Sequence, residues 1–349
     1  MSKRVLITGS SGFLGGVLVE SLNAAGIETT GFDLLTPPKG RTPDRFVQGD
    51  LRSASSVRAA LDGVDAVVHA AASVPLRRDK EEHRSVNVEG TRTLALESRD
   101  VETFINISSS AVYGIPKQLP VTPSTPLRPV DAYGQSKLAA ERVLAEVFSN
   151  VASPRAVVLR PRTIVSPSRS GLFSLLFDAV HNGWAVPVLG ASTTLQLVHA
   201  DDVARVVLAA LDPSWDLPVV NLGSSSCKPL RDELTELIDL VGSQAKVLVL
   251  PARSTSIVLA AASAVHLAPF APWHTKTYGS SNVVDMTPLL ARGLSPVFSN
   301  LDALLAAYHS YVAQTQNRHG ADLAGASVHT APLRAHFTRC VMRSLRLVA

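Results

Sequence analysis

The chain has 349 residues, 46% of them apolar and 18% charged, enough for one large α/β domain or two unequal ones sharing a cleft. Its two cysteines, Cys227 and Cys340, lie far apart, which excludes a disulfide framework and a multi-cysteine metal site; no metal is expected, and a reducing, cytoplasmic setting fits. The net charge of +4 resides in residues 315–349, where five arginines stand against one aspartate, so the main body is balanced and the basic balance gives no reason to propose a nucleic-acid surface on it.

In chain order, apolar β-rich runs fall at residues 4–8, 28–32, 45–48, 65–69, 103–108 and 156–160. Helical patterns lie between most of them, as at 17–25, 54–61 and 132–148. Short runs apolar on both faces, alternating with helices, predict an α/β fold with a doubly wound, Rossmann-type parallel sheet covered on both sides. The start, MSKRVLITGSSG, enters a strand at once without a signal-peptide pattern.

After Pro161 the rhythm loosens. Residues 1–165 are expected to form the nucleotide domain, rejoined by parts of 195–225, and residues 166–314 a smaller C-terminal substrate-binding lobe. The stretch LQLVHADDVARVVLAAL (195–211) reads as a strand turning into a helix capped by Asp201 or Asp202. The longest apolar run, residues 256–268, contains a histidine and is too short to span a bilayer. Residues 315–332 read as a linker. Beyond them Leu333, Phe337, Val341, Leu345 and Val348 recur at helical spacing, with Arg334, Arg339, Arg343 and Arg346 mostly on other faces. Docking of this basic amphipathic tail on protein is expected ahead of disorder, and membrane association is the least favoured outcome.

The run VLITGSSGFLG (5–15) places Gly9, Gly12 and Gly15, with Phe13 and Leu14 before the last, between the first strand and the first helix. The glycines allow a tight turn, and the helix N-terminus offers N–H groups and a positive dipole end to a pyrophosphate. Asp33 ends the second strand, where a carboxylate accepts both ribose hydroxyls of an adenosine and repels a 2′-phosphate, which favours NAD over NADP. Lys39 and Arg41 follow and can soften that preference. Asp50 and Leu51 are placed to line the adenine, and the small Ala70, Ala71 and Ala72 to let the cofactor lie flat over the fourth strand.

DAYGQSKLAAE (131–141) opens a helix with Tyr133 and Lys137 one turn apart on one face. An ammonium beside the phenol favours phenolate, lowering a pKa that starts near ~10. Such a tyrosine can take a proton from an alcohol while hydride leaves its carbon. ISSSAVYG (107–114) supplies three hydroxyls at a strand end, one of which can hydrogen-bond the substrate oxygen.

Together TGSSGFLG, the Asp33 strand end, VVHAAA, VNVEGT, ISSSAVYG, YGQSK, LRP and LVHADDVA, spread in order over roughly residues 3–314, resemble the extended short-chain dehydrogenase/reductase family, which includes nucleotide-sugar epimerases and dehydratases. The resemblance implies that Ser109, three residues before Val112, is the catalytic hydroxyl, Tyr133 the proton-transfer group and Lys137 the residue holding the nicotinamide ribose. It sets Ser108 nearer the nicotinamide and Ser110 nearer the substrate. Asn87 is grouped with the cofactor site as a residue that fixes this region, and Pro161 with the loop against the nicotinamide.

The family's dehydratases carry an Asp-Glu pair directly after the catalytic hydroxyl, and decarboxylating relatives a glutamate near Ala111; here Ser110 and Ala111 stand there. ISSSAVYG therefore looks most like the 4-epimerase version. It departs from that pattern at Leu195, where an arginine for the diphosphate is common, and at Thr163, where an asparagine is common. Arg162, Arg169, Lys276 and Arg292 are the other sources of charge, and Ser110, Thr163 and Arg169 the candidate substrate contacts. The stretch 254–270 resembles the hydroxysteroid-dehydrogenase branch. The leading expectation is an NAD-dependent epimerase of a nucleotide-linked sugar. The alternatives are an alcohol dehydrogenase or ketone reductase of the hydroxysteroid type, and an NAD-binding scaffold without turnover. Family dimers imply a homodimer through helices at 132–148 and about 84–98, for which Leu138, Val143, Leu144 and Val147 read as spare apolar residues.

Overall fold

The computed structural model describes residues 3–74, 80–149, 153–167, 173–251, 277 and 279–316. Its strands are β1 (Arg4–Thr8), β2 (Glu28–Asp33), β3 (Arg45–Gln48), β4 (Ala66–His69), β5 (Thr103–Ile107), β6 (Arg155–Pro161), β7 (Thr163–Val165), β8 (Ala185–Leu189), β9 (Leu197–His199), β10 (Val219–Leu222) and β11 (Lys246–Leu250). Between them run α1 (Phe13–Ala24), α2 (Ala54–Leu61), α3 (Lys80–Arg84), α4 (Thr91–Glu97), α5 (Ala132–Phe148), α6 (Phe173–His181), α7 (Ala200–Ala210) and α8 (Leu230–Leu240). Two more helices, α9 (Thr287–Leu290) and α10 (Asn300–Gln316), follow β11.

Seven strands form one parallel sheet in the order β10-β6-β5-β4-β1-β2-β3. Its residues alternate between two cores, as the two-residue period of a strand requires. Val5, Ile7, Ala66, Val68, Ile105 and Ile107 pack with α1 and α7 on one face. Leu6, Val67 and Phe104 pack with α2, α4 and α5 on the other. Side chains of this size contribute about 1.5–3 kcal/mol each when fully buried, which makes this doubly covered sheet the rigid base of the cleft. β10 and α7 belong to the first core although they follow β7 in the chain. A separate core gathers Phe177 of α6, Val186 and Val188 of β8, Leu234 and Leu237 of α8, and Leu304 and Tyr308 of α10.

The structure differs from the sequence expectation at several boundaries. Helix α1 starts at Phe13 rather than 17, because Gly9, at φ 72°, and Gly12 complete the turn and Gly15 and Gly16 lie within the helix. The helix expected at 84–98 is α3 and α4 joined by one π turn over Ser85–Gly90. Neither Asp201 nor Asp202 caps α7. His199 does, its Nδ1 accepting the Asp201 amide at 3.3 Å, while Asp202 accepts the amides of Val297 at 2.8 Å and Phe298 at 3.1 Å. Helix α10 runs through Gln316, so the expected linker begins inside it. Leu138, Val143, Leu144 and Val147 are all buried in the chain's own cores, which accounts for their apolar character without a partner. The tail helix, the apolar stretch 254–270, Arg169 and Lys276 lie outside the described residues. Among the described residues no helix is long and apolar enough to cross a membrane.

Candidate active site

A cleft of about 430 Å³ runs past the C-terminal ends of β1 to β6, where the strand order reverses between β1 and β4. The glycine turn forms one end. The Gly9 amide donates to the Phe32 carbonyl at 2.8 Å, and a Cβ on Gly15 would sit 2.0 Å from the Gly9 oxygen, so the loop can close on α1 only with glycine there. Gly12 caps α1 without a side chain, and the first turn holds no acidic residue. The positive end of α1 thus lacks a carboxylate of its own, and the cradle fits a pyrophosphate.

Asp33 closes β2 and steadies this loop. Its Oδ2 accepts the Ser11 amide at 3.1 Å and its Oδ1 the Leu35 amide at 3.0 Å. Asp50 is held by Arg52, with Nη2 2.5 Å from Oδ2, a hydrogen bond that keeps its carboxyl below the usual carboxylate range. Arg41 is turned to α1, where it pairs with Glu20 at 3.3 Å.

The three serines after β5 have three different partners. Ser108 Oγ donates to Glu141 Oε1 at 2.5 Å. Glu141 also accepts Arg160 Nη2 at 2.6 Å; Arg160 Nη1 donates to the Tyr113 hydroxyl at 2.8 Å, and that hydroxyl donates to Asn221 Oδ1 at 2.8 Å. This buried chain ties the serine segment to α5, β6 and β10. Ser109, in extended backbone, caps the single 3-10 turn Ser110–Tyr113, its Oγ accepting the Ala111 amide at 3.2 Å. Ser110 Oγ accepts from Arg162 Nη1 at 2.9 Å.

Asp131 caps helix α5, its carboxylate accepting the Gly134 amide at 2.9 Å, and this start sets Tyr133 and Lys137 on the cleft wall one turn apart. Lys137 is buried and donates from Nζ to the Ile107 carbonyl at 2.8 Å. Burial pulls its pKa from 10.5 down to about 8, and the Glu141 carboxylate opposes that fall. His69 is clasped between Thr8 Oγ1 at 2.7 Å and Thr91 Oγ1 at 2.9 Å. Burial first, then the Lys137 charge, push its pKa to about 3, so it is neutral. His83 meets the Tyr133 ring edge-on, with centroids 6.0 Å apart.

Gly9, Gly12, Phe13, Leu14, Gly15, Asp33, Asp50, Leu51, Ala70, Ala71, Ala72, Ser108, Ser109, Ser110, Tyr133, Lys137, Pro161 and Thr163 all line this same cleft. Asn87 does not. It lies behind the wall, its Oδ1 accepting the Ser73 amide at 2.7 Å and its Nδ2 donating to Ser136 Oγ at 2.9 Å, which joins the stretch after β4 to α5. Arg292 pairs with Asp216 and lies over Trp215, and Leu195 packs against the second core. The structure adds Arg52, Glu82, Val86 and Ile164 to the wall. Glu141 and Arg160 are the functional neighbours the sequence reading missed; the spacing of Glu141 one turn beyond Lys137 was the available signal.

A parallel sheet with this switch point and this glycine cradle is that of the dinucleotide-binding α/β proteins. Residues 5–223 match the model of the NAD dependent epimerase/dehydratase family, and the chain belongs to that family, with NAD as its cofactor. It is 33% identical to uncharacterized protein y4nG of Sinorhizobium fredii over 99% of this chain and 87% of that one. Among solved structures it resembles UDP-glucose 4-epimerase of Thermotoga maritima with UDP-glucose, at 20% identity and a TM-score of 0.73 over 90% of this chain and 99% of that one. It also resembles MoeE5 in complex with UDP-glucuronic acid and NAD, at 23% identity and a TM-score of 0.71 over 89% of this chain and 99% of that one. At these identities the two structures are alike in fold.

Proposed function

We propose that the chain is an NAD-dependent epimerase of a nucleotide-linked sugar. The observation that carries this reading is the convergence of Ser109, Tyr133 and Lys137 on one cleft in which Ser110 and Ala111, rather than an Asp-Glu pair, follow the serine. NAD held between the Gly9–Gly15 loop, Asp33 and Lys137 would supply a reversible hydride acceptor for the substrate carbon. Tyr133 takes the proton of the substrate hydroxyl and later gives it back. Lys137, charged at neutral pH with a pKa of about 8, favours the Tyr133 phenolate. Ser109 keeps its own hydroxyl hydrogen for the substrate oxygen, because among the described residues its Oγ accepts the Ala111 amide and donates to none. A ketone that turns over in the cleft before reduction gives the epimer.

The sugar nucleotides bound by the two similar structures support a nucleotide sugar as the substrate. Residues 166–314 are proposed to bind it, and α4 and α5 to form a homodimer contact, which light scattering checks. The test of function is to incubate the NAD-loaded protein with UDP-glucose, UDP-galactose and UDP-glucuronate, and to follow the sugar by NMR and NADH by absorbance. Epimer without net NADH is expected. NADH formed in proportion to product would replace this reading with a dehydrogenase, and binding without turnover with a scaffold.

A further inference from the structure

Two arginines of similar burial stand two residues apart at the end of β6, and the fold treats them differently. Arg160, 4% exposed, has the Glu141 carboxylate against it. Arg162, 2% exposed and part of the cleft wall, has no carboxylate at ion-pair distance among the described residues. Of its five N–H donors, Nε donates to the Gln196 carbonyl at 3.1 Å and Nη1 to Ser110 Oγ at 2.9 Å; Nη2 has no partner among the described residues. Burial lowers its pKa only to about 10, so the guanidinium stays charged at neutral pH. The Cys227 thiol, whose field reaches Arg162, is itself pushed up by burial and Glu233 and is no counter-ion. A buried cation without an anion is strongly destabilising, unless a ligand supplies the missing charge.

Ser110 conveys this charge to the cleft. Its Oγ accepts from Arg162, so its own O–H is left to donate, and the 3-10 turn sets it directly beside Ser109. We infer that Ser110 and Arg162 form an oxyanion subsite for a carboxylate carried on the sugar ring close to the reacting carbon. The Ser110 hydroxyl meets the carboxylate, and the guanidinium stands behind it. The position follows from the neighbouring Ser109, which meets the reacting oxygen in the function proposed above, and for the identity of the sugar the inference rests on that reading. A neutral hydroxymethyl group at this place would leave the buried guanidinium uncompensated, which is how a buried polar site rejects an analogue lacking its partner.

The test is isothermal titration of the NAD-loaded protein with UDP, UDP-glucose and UDP-glucuronate. UDP-glucuronate should bind at least about tenfold more tightly than UDP-glucose, the scale of one charge-assisted hydrogen bond. Arg162→Met should erase that difference while NAD affinity is retained, and Ser110→Ala, a smaller change to the fold, should reduce it. Equal binding of the two sugars, or a Met variant that weakens both by the same factor, would overturn the subsite and leave the nucleotide-sugar reading standing. If none of the three nucleotides binds, that reading fails and the subsite is read separately. Free glucuronate, compared with glucose at matched ionic strength, should then raise the melting temperature of the wild type but not of Arg162→Met, and no difference would overturn it. Stabilisation through Arg162 by inorganic phosphate but not by glucuronate would overturn the carboxylate in favour of a phosphoryl source.

Discussion

Lys137→Met separates what this lysine does for chemistry from what it costs the fold. In the folded chain Lys137 is buried and loses its proton near pH 8, whereas its ordinary value is 10.5. At ~1.4 kcal/mol per pKa unit, that displacement corresponds to about 3 kcal/mol. The sign follows from proton counting. Between pH 8 and 10.5 the unfolded chain holds the Lys137 proton and the folded chain does not, so wild-type stability rises with pH through this window. Below pH 8 both states are protonated and the full penalty of the buried charge is present. Methionine has no charge to titrate. It also loses the hydrogen bond to the Ile107 carbonyl, a loss of about 1–3 kcal/mol that does not depend on pH. Urea unfolding of both apo-proteins, followed by tryptophan fluorescence between pH 7 and 10.5, reads the difference directly. The wild type should gain about 3 kcal/mol on the variant across the window. Parallel stability profiles would refute the burial argument, whatever happens to turnover.

Tyr133→Phe should reduce turnover by about 10²-fold or more while NAD affinity is retained, and single-turnover kinetics with NAD titration checks both. Ser109→Ala should act on kcat and Ser110→Ala on KM; the reverse pattern would shift the register of the serine motif by one residue. Asp33→Ala should narrow the preference for NAD over NADP by roughly tenfold, through loss of the carboxylate proposed to meet the ribose hydroxyls. Equal binding of the two by the wild type would remove that role. Glu141→Gln breaks a pair whose side chains are 8% and 5% exposed, and should cost about 3–5 kcal/mol in chemical denaturation. Because Glu141 holds the Lys137 pKa up, the same variant should lose activity at lower pH on the alkaline side.

Six of the seven sheet strands, all but β10, were legible because most are short runs with both faces buried, so their apolar pattern survives without tertiary context. The glycine cradle and the Tyr133–Lys137 pair were legible for a similar reason, since loop-to-helix spacing and one helical turn fix their geometry locally. The features that escaped depend on partners remote in sequence. Nothing in LVHADDVA distinguishes His199 from two aspartates as the cap of α7 until Asp202 is seen holding the amides of Val297 and Phe298. Apolar residues on α5 read as a spare stripe because the sequence does not show that the helix packs into two cores, with Leu138 in one and Val143, Leu144 and Val147 in the other.

The arginines of LRPRT make the same point about charge. In sequence Arg160 and Arg162 are equivalent cations around a proline. Only the fold brings Glu141 of α5 to the first and leaves the second with a serine hydroxyl and a carbonyl. That asymmetry also explains why three adjacent serines tolerate burial. Ser108 is fixed to the Glu141–Arg160 pair behind the sheet, and Ser110 to Arg162 beside the cleft. Ser109 is therefore anchored by both neighbours, with its own oxygen engaged by one backbone amide and its hydrogen left to donate. A hydroxyl held in this way meets a substrate oxygen with little reorganisation, which is the condition for a short polar side chain to contribute to catalysis. In the function proposed above the flanking serines are then as much a part of the site as the one between them, because each ties its segment to a distant charge and so helps position Ser109.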